Sequence, residues 1–261
     1  AMAVALTSVY GLFFGVALLM IGGGLQGSLL GVRASIENFD TTTLGVVMSG
    51  YFVGFLAGSQ LAPRFVSRVG HVRVFAALAS LASGTVLLHG LFVDPLTWGL
   101  MRLLTGFCYA GLYVVAESWL NDMSDNQNRG RLLSLYMIIQ LGGLAGGQFL
   151  LPVAEPGGMD LFALVAVLVS VAVVPMCLSA SKTPDFDEPE RLTFRQLYKA
   201  SPLGSFGIFA TGLTQGTFFG FGSVYAQEAG FSLKEISIFM ALAIVGGMIS
   251  QLPLGRLSDR I

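Results

Sequence analysis

Apolar runs of membrane-spanning length alternate with short polar breaks along this chain. A hydrocarbon layer of about 30 Å takes about 20 helical residues to cross. Eight stretches are long enough: roughly 8–32, 43–66, 72–93, 95–119, 131–152, 159–180, 203–226 and 233–254. Their punctuation is helical. Asp94-Pro95 and Ser201-Pro202 each set an N-cap residue before a proline at the first helical position, opening spans four and seven. Ser232, with Glu235 three residues later, reads as a capping box for span eight. The one long polar connection is 181–202, which divides six spans (1–180) from two (203–261). Inside it, Thr193 to Lys199 has the pattern of a short amphipathic helix lying on a membrane surface; a solvated linker is the alternative. The predicted fold class is an all-α polytopic membrane protein.

Composition agrees. The 261 residues are 54% hydrophobic and 11% charged, with mean hydropathy +0.75. Soluble domains carry about 25% charged residues, so this chain lacks the polar surface to coat a water-soluble body. The residues ahead of span one hold no basic run and no small-residue cleavage site, which argues against a removable signal peptide. Cys108 and Cys177 both lie in apolar stretches and make neither a disulfide framework nor a metal pair.

Charge sorts by side. With the N-terminus cytoplasmic, that side receives eleven basic residues: Arg64, Arg68, Arg73, Arg129, Arg131, Lys182, Arg191, Arg195, Lys199, Arg256 and Arg260. The other side receives two, Arg33 and Lys234. The positive-inside bias therefore predicts a cytoplasmic N-terminus and a cytoplasmic 181–202 segment. An offset of 192 residues also sets Phe206-Gly207 on Phe14-Gly15, Gly216 on Gly24, Met240 on Met48 and Arg256 on Arg64, with span boundaries coinciding. Repeated halves are a mark of transporter architecture.

Candidate chemistry is sparse. GGGLQG (Gly22 to Gly27) satisfies the dinucleotide pattern G-x-G-x-x-G, but it lies mid-span with no strand before it, so a phosphate cradle is excluded on context. Glycines four apart, as in Gly50/Gly54/Gly58, Gly142/Gly146, Gly143/Gly147 and Gly212/Gly216/Gly220, are expected to let helices approach closely. Arg102, roughly two turns inside span four, is a costly intramembrane cation that calls for a cavity or a partner. Gly106, Tyr109 and Tyr113 follow it at i+4, i+7 and i+11, giving one polar, aromatic face with room at the glycine. Glu117, near the cytoplasmic end of the same span, is expected to pair with Arg68 or Arg131; a proton-titrating carboxylate is the alternative. Gln26, Gln140, Gln148 and Gln215 fit solute binding and helix-to-helix bonding equally. His89 is expected at the membrane interface. No catalytic triad, Walker loop or metal-ligand spacing is present, so neither an enzyme nor a cofactor- or metal-dependent activity is expected.

The chain resembles the major facilitator superfamily. PRFVSRVGHVR, after span two, resembles the family signature G-x-L-a-D-R-x-G-r-k through Arg68, Gly70 and Arg73, with Pro63 and Ser67 departing from it. GRLSDRI, after span eight, resembles the same signature through Gly255, Leu257, Asp259 and Arg260. RLLTGFCYAG resembles the family pattern R-x-x-x-G through Arg102 and Gly106, and NRGR with GGLAGG resembles its glycine-rich fifth helix without the usual Gly-Pro pair. The resemblance implies twelve helices in two six-helix bundles. This chain would supply the first bundle (1–180), a linker (181–202) and the first two helices of the second bundle (203–261), and so is expected to be truncated.

What the resemblance implies for function is secondary transport of a small organic solute by alternating access, with protons as a coupling ion. The expected location is a bacterial-type inner or plasma membrane, and the expected partners are the solute and lipid, with no nucleic acid. Arg102, Tyr109, Tyr113, Gln26 and Gln215 are the expected solute and coupling residues. Arg68, Arg73, Glu117, Arg131, Asp259 and Arg260 are the expected cytoplasmic gate, weakened where Ser67 replaces the signature aspartate. The alternative is a transport-inactive scaffold that holds membrane-protein partners through its glycine ridges.

Overall fold

Side-chain caps fix the starts of four helices among the described residues. In the computed structural model, which describes residues 2–124, 128–178 and 194–258, the chain forms α1 (Met2–Ile36), α2 (Thr41–Val69), α3 (His71–Leu91), α4 (Pro95–Asp122) and α5 (Arg129–Gln148). A 3-10 turn (Leu151–Val153) leads to α6 (Asp160–Val171), α7 (Val173–Cys177), α8 (Phe194–Ala200), α9 (Pro202–Glu228) and α10 (Leu233–Ser258). Asp94 caps α4 by accepting the Thr97 N–H at 2.9 Å, and Ser201 caps α9 by accepting that of Gly204 at 3.1 Å. The Ser232 N–H donates to Glu235 Oε2 at 2.8 Å while the Glu235 N–H donates back to Ser232 Oγ at 3.4 Å, so the capping box forms. Asp40, not singled out from the sequence, caps α2 by accepting the Thr42 and Thr43 N–H groups at 2.9 and 3.1 Å. Gly70, at φ 86°, turns the chain between α2 and α3, a conformation that glycine adopts without strain.

Two expected spans differ in detail. Span six breaks into α6 and α7 at Ala172; Pro175 has no N–H to offer the Val171 carbonyl, so the hydrogen-bond ladder is interrupted there. Span seven is the 27-residue α9, long enough to cross but not among the seven apolar spans, because its glycines, threonines and Gln215 dilute its hydropathy. The segment expected to form an amphipathic helix is helical as α8, and most of the 181–202 linker lies outside the described residues.

Packing centres on α1, whose most apolar window is 67% buried against 28% for α2. The widest interface joins α2 to α4, followed by α1 with α5, α3 with α4, and α3 with α6. Trp98, Trp119, Phe75 and Phe162 are fully buried in this body. Helix α9 leans on α1 and α2, and α10 on α5 and α9, with the α5–α10 contact built on Ala145, Ala241 and Ile244. This is a six-helix bundle with the first two helices of a second laid against it.

The glycine rows explain the tight pairs. A side chain started at Gly54 would run into the Leu103 carbonyl, and one at Gly58 into that of Phe107. Gly24 meets the Leu144 backbone, and Gly147 the Ile21 carbonyl, across the α1–α5 pair. By contrast, Gly142, Gly146 and Gly212 face open space, so those positions do not bring helices together among the described residues. His89 is wholly buried, not interfacial: its Nδ1–H donates to the Thr85 carbonyl at 2.7 Å, and its ring meets Trp98 edge-on at 5.6 Å.

Candidate functional site

Four helices of the first bundle and α9 enclose a cavity of about 370 Å³. The face predicted on α4 supplies one wall, since Arg102, Tyr109 and Tyr113 recur at helical spacing and point the same way. Gln26 enters from α1 and Gln215 from α9, so all five residues expected at a solute site line this one space. Gly23 and Gly27 leave it open: a Tyr109 ring lies against Gly23, and nothing lies within 4 Å of where a Gly27 side chain would begin. The room expected at Gly106 is not there. A side chain at that glycine would strike the Tyr51 carbonyl, because α2 packs its backbone into the gap.

The sequence reading missed the α2 wall, Met48, Tyr51, Phe52 and Phe55, and the α9 residues Phe219 and Gly220. A signal existed on α2: Tyr51 stands four residues before Phe55 on a helix whose next face carries Gly50, Gly54 and Gly58. The aromatic side chains form a chain of ring contacts. Tyr51 meets Phe55 at 5.9 Å, Phe55 meets Tyr113 at 5.9 Å, and Tyr113 meets Tyr109 at 6.5 Å between centroids.

Arg102 is held by a ring rather than an acid. Its guanidinium carbon sits 4.5 Å from the Tyr51 ring centroid, inside cation–π range. Its Nε is buried with no hydrogen-bond partner, and no ion pair forms to it among the described residues. Withdrawing a cation from water costs several kcal/mol, whereas a desolvated cation–π contact returns about 2 kcal/mol. Arg102 is half-buried, so its guanidinium keeps part of its solvation and has Nε alone as a buried donor without a partner. Gln26, 3% exposed, likewise has an Nε2 without a partner.

The other glutamines separate on geometry. Gln148 donates from Nε2 to the Gly24 carbonyl at 2.8 Å and accepts from Ser28 Oγ at 2.5 Å, tying α5 to α1. It is a structural bond between helices, and Gln140 does not line the cavity.

The expected gate assembles only in part. Glu117 is not paired with Arg68 or Arg131; its recorded partner is the Tyr136 hydroxyl, which donates to Oε1 at 3.5 Å. Leu103 and Phe107 are the α4 positions that meet α2, Ser118 bonds to His71 of α3, and Glu117 turns towards α5. Arg68, Arg73 and Arg131 are exposed and form no ion pair among the described residues. Asp259 and Arg260 lie outside the described residues. Away from that end, Arg33 clasps the α5–α6 connection, donating from Nη1 to the Pro156 carbonyl at 3.2 Å and to that of Gly157, while Nη2 pairs with Glu37 at 2.8 Å.

A family model for the Major Facilitator Superfamily matches residues 12–261. The chain belongs to that superfamily. An uncharacterized MFS-type transporter of Enterobacter sp. (strain 638) is 30% identical over 253 residues, which is 95% of this chain and 66% of the relative. YcaD of Escherichia fergusonii, also described as an uncharacterized MFS-type transporter, is 28% identical over 251 residues with the same coverage of 95% and 66%. The chain thus spans 66% of the length of these curated relatives. Among solved structures, the nucleoside transporter NupG superposes with a TM-score of 0.77 at 15% identity, over 97% of this chain and 68% of its own. A D-xylose-proton symporter superposes with a TM-score of 0.64 at 12% identity, over 99% and 69%. At these identities the likeness is one of fold. Family and apolar helices together make this an integral membrane protein, and the family is one of transporters rather than enzymes.

Proposed function

We propose that the protein takes part in secondary active transport of a small organic solute, carried through the cavity by alternating access. The observation that supports this best is the convergence of Arg102, Tyr109, Tyr113, Gln26 and Gln215 on one space bounded by both bundles. A site walled by two bodies opens to alternate sides when those bodies rock about it. The first bundle is stiffened by glycine seams and by the Gln148 bonds, while α9 and α10 meet it through fewer polar ties. Rocking would therefore concentrate at the α1–α9 and α5–α10 contacts. Proton coupling, if it follows the family pattern, falls to Glu117 and Tyr136, because no carboxylate lines the cavity among the described residues.

The test is access to the cavity from each side of the membrane. Gln215→Cys, in a background with Cys108 and Cys177 replaced by serine, should react with a membrane-impermeant maleimide both in intact cells and in inverted vesicles. Reaction from one side alone would overturn alternating access and favour the scaffold reading.

A further inference from the structure

Two side chains in the cavity wall carry donors with nothing to receive them. Gln26 is 3% exposed and lines the cavity with its Nε2 buried and unpartnered. Arg102 lines it too, with Nε buried and unpartnered and its guanidinium over the Tyr51 ring. A guanidinium offers donors and no acceptor, and an amide nitrogen likewise only donates. Both positions therefore call for an acceptor on the ligand, and Arg102 calls for a negative one. No aspartate or glutamate among the described lining residues competes for that role.

The rest of the wall sets the body of the ligand. Tyr51, Phe52, Phe55, Tyr109 and Tyr113 present aromatic surface, which suits offset or edge-to-face contact with a flat ring. Two of the three phenols are already engaged, Tyr109 with the Leu19 carbonyl at 3.5 Å and Tyr113 with the Met20 sulfur at 3.3 Å. A polyol, needing many free polar partners, is poorly served here. A cation would meet Arg102 at close quarters in a low-dielectric space, which repels it. A cavity of 150 Å³ accommodates benzene, so at that packing one of about 370 Å³ takes roughly 15 non-hydrogen atoms.

We propose that the cavity binds a flat aromatic organic acid bearing a single carboxylate, its oxygens received by Arg102 and Gln26 and its ring lodged among Tyr51, Phe55 and Tyr113. One cation in the wall matches one negative charge. The proposal rests on the transport reading for the choice of site, and narrows it to a substrate class.

Three probes of one shape test it on the purified protein in detergent: naphthoate, neutral naphthamide and naphthylmethylammonium. Binding is read by calorimetric titration and by the rise in melting temperature. Naphthoate should bind about tenfold or more tightly than either analogue, the discrimination expected of a hydrogen bond to a charged group. Arg102→Gln should erase the preference for acid over amide, Arg102→Lys should keep part of it, and Gln26→Leu should weaken naphthoate. Equal binding of the amide, tighter binding of the ammonium, no binding of any probe, or an acid preference that survives Arg102→Gln would each overturn the proposal. Failure here is separable from failure of transport. Selective naphthoate binding with one-sided labelling of the Gln215→Cys thiol would keep the substrate class and remove alternating access; two-sided labelling without acid selectivity would do the reverse.

Discussion

At the scale of single residues, the cavity depends as much on what is missing as on what is present. Gly27 opens onto empty space, so a Cβ there would enter the cavity with no protein atom outside its own helix backbone within 4 Å. Gly27→Leu should therefore leave the ligand-free protein as stable or more so, by up to about 1 kcal/mol from helix propensity, while abolishing binding of cavity ligands. Denaturation and titration of the same sample separate the two effects, and loss of stability would show that the space is not open. The α4 part of the site was legible in sequence because helical spacing relates Arg102 to Tyr109 and Tyr113 within one segment. Tyr51, Phe52 and Phe55 were not, because an aromatic residue on a membrane helix faces lipid or cavity according to a neighbour that periodicity does not name. The same blindness hid the division between Gln26 and Gln148, one left with an unused donor and the other bonded at both ends. It also misdirected Glu117, which meets Tyr136 of α5 rather than Arg68 or Arg131.

At the scale of elements, seams and caps carry the strain of substitution. Gly54 meets the Leu103 carbonyl across the α2–α4 interface, so a branched side chain there must push two backbones apart. Gly54→Val should cost about 1–3 kcal/mol, the usual range for overpacking, measured by unfolding in detergent; a neutral outcome would mean that the helices are not in backbone contact. The caps give a pH dependence. Asp40 is held below its ordinary value first by the Thr43 hydroxyl, and Asp94 first by the Thr97 side chain, with backbone N–H groups adding to each. A carboxyl with a depressed folded-state pKa stabilises above the unfolded value, about 3.9 for aspartate, and loses that contribution as pH falls through the folded value. Melting temperature should thus decline on acidification below about pH 4. The Asp40→Asn, Asp94→Asn double variant, which still caps but does not titrate, should decline less; parallel curves would remove the caps as the cause. These starts were readable from sequence wherever proline or a capping box marked them, and Asp40 escaped because threonines, which favour neither state strongly, follow it.

At the scale of the whole molecule, the order of helices followed from hydrophobic runs, since a bilayer leaves helices as the economical answer for such runs. The depth of contact between bundles did not, because it depends on shape rather than polarity. Orientation remains a prediction from the eleven basic residues against two. Ser124, in the turn after α4, lies at the basic end; Ser124→Cys should resist an impermeant maleimide in intact cells and react in inverted vesicles, and the opposite pattern would invert the topology.

The α2–α4 seam also governs chemistry at a distance. A Cβ added at Gly50 would meet the Gly99 carbonyl at 3.0 Å and Arg102 Cβ at 3.7 Å, and one added at Gly106 would strike the carbonyl of Tyr51. The spacing of these two backbones thereby sets how far the guanidinium stands from the phenol ring beneath it. A methyl group added at either glycine would lift the cation from its ring and change its appetite for a counter-charge, without touching the ligand. Selections for altered solute preference should accordingly yield changes at Gly50 and Gly106 alongside changes in the wall, and drift of specificity within this lineage has a route that leaves every ligand-contacting residue in place.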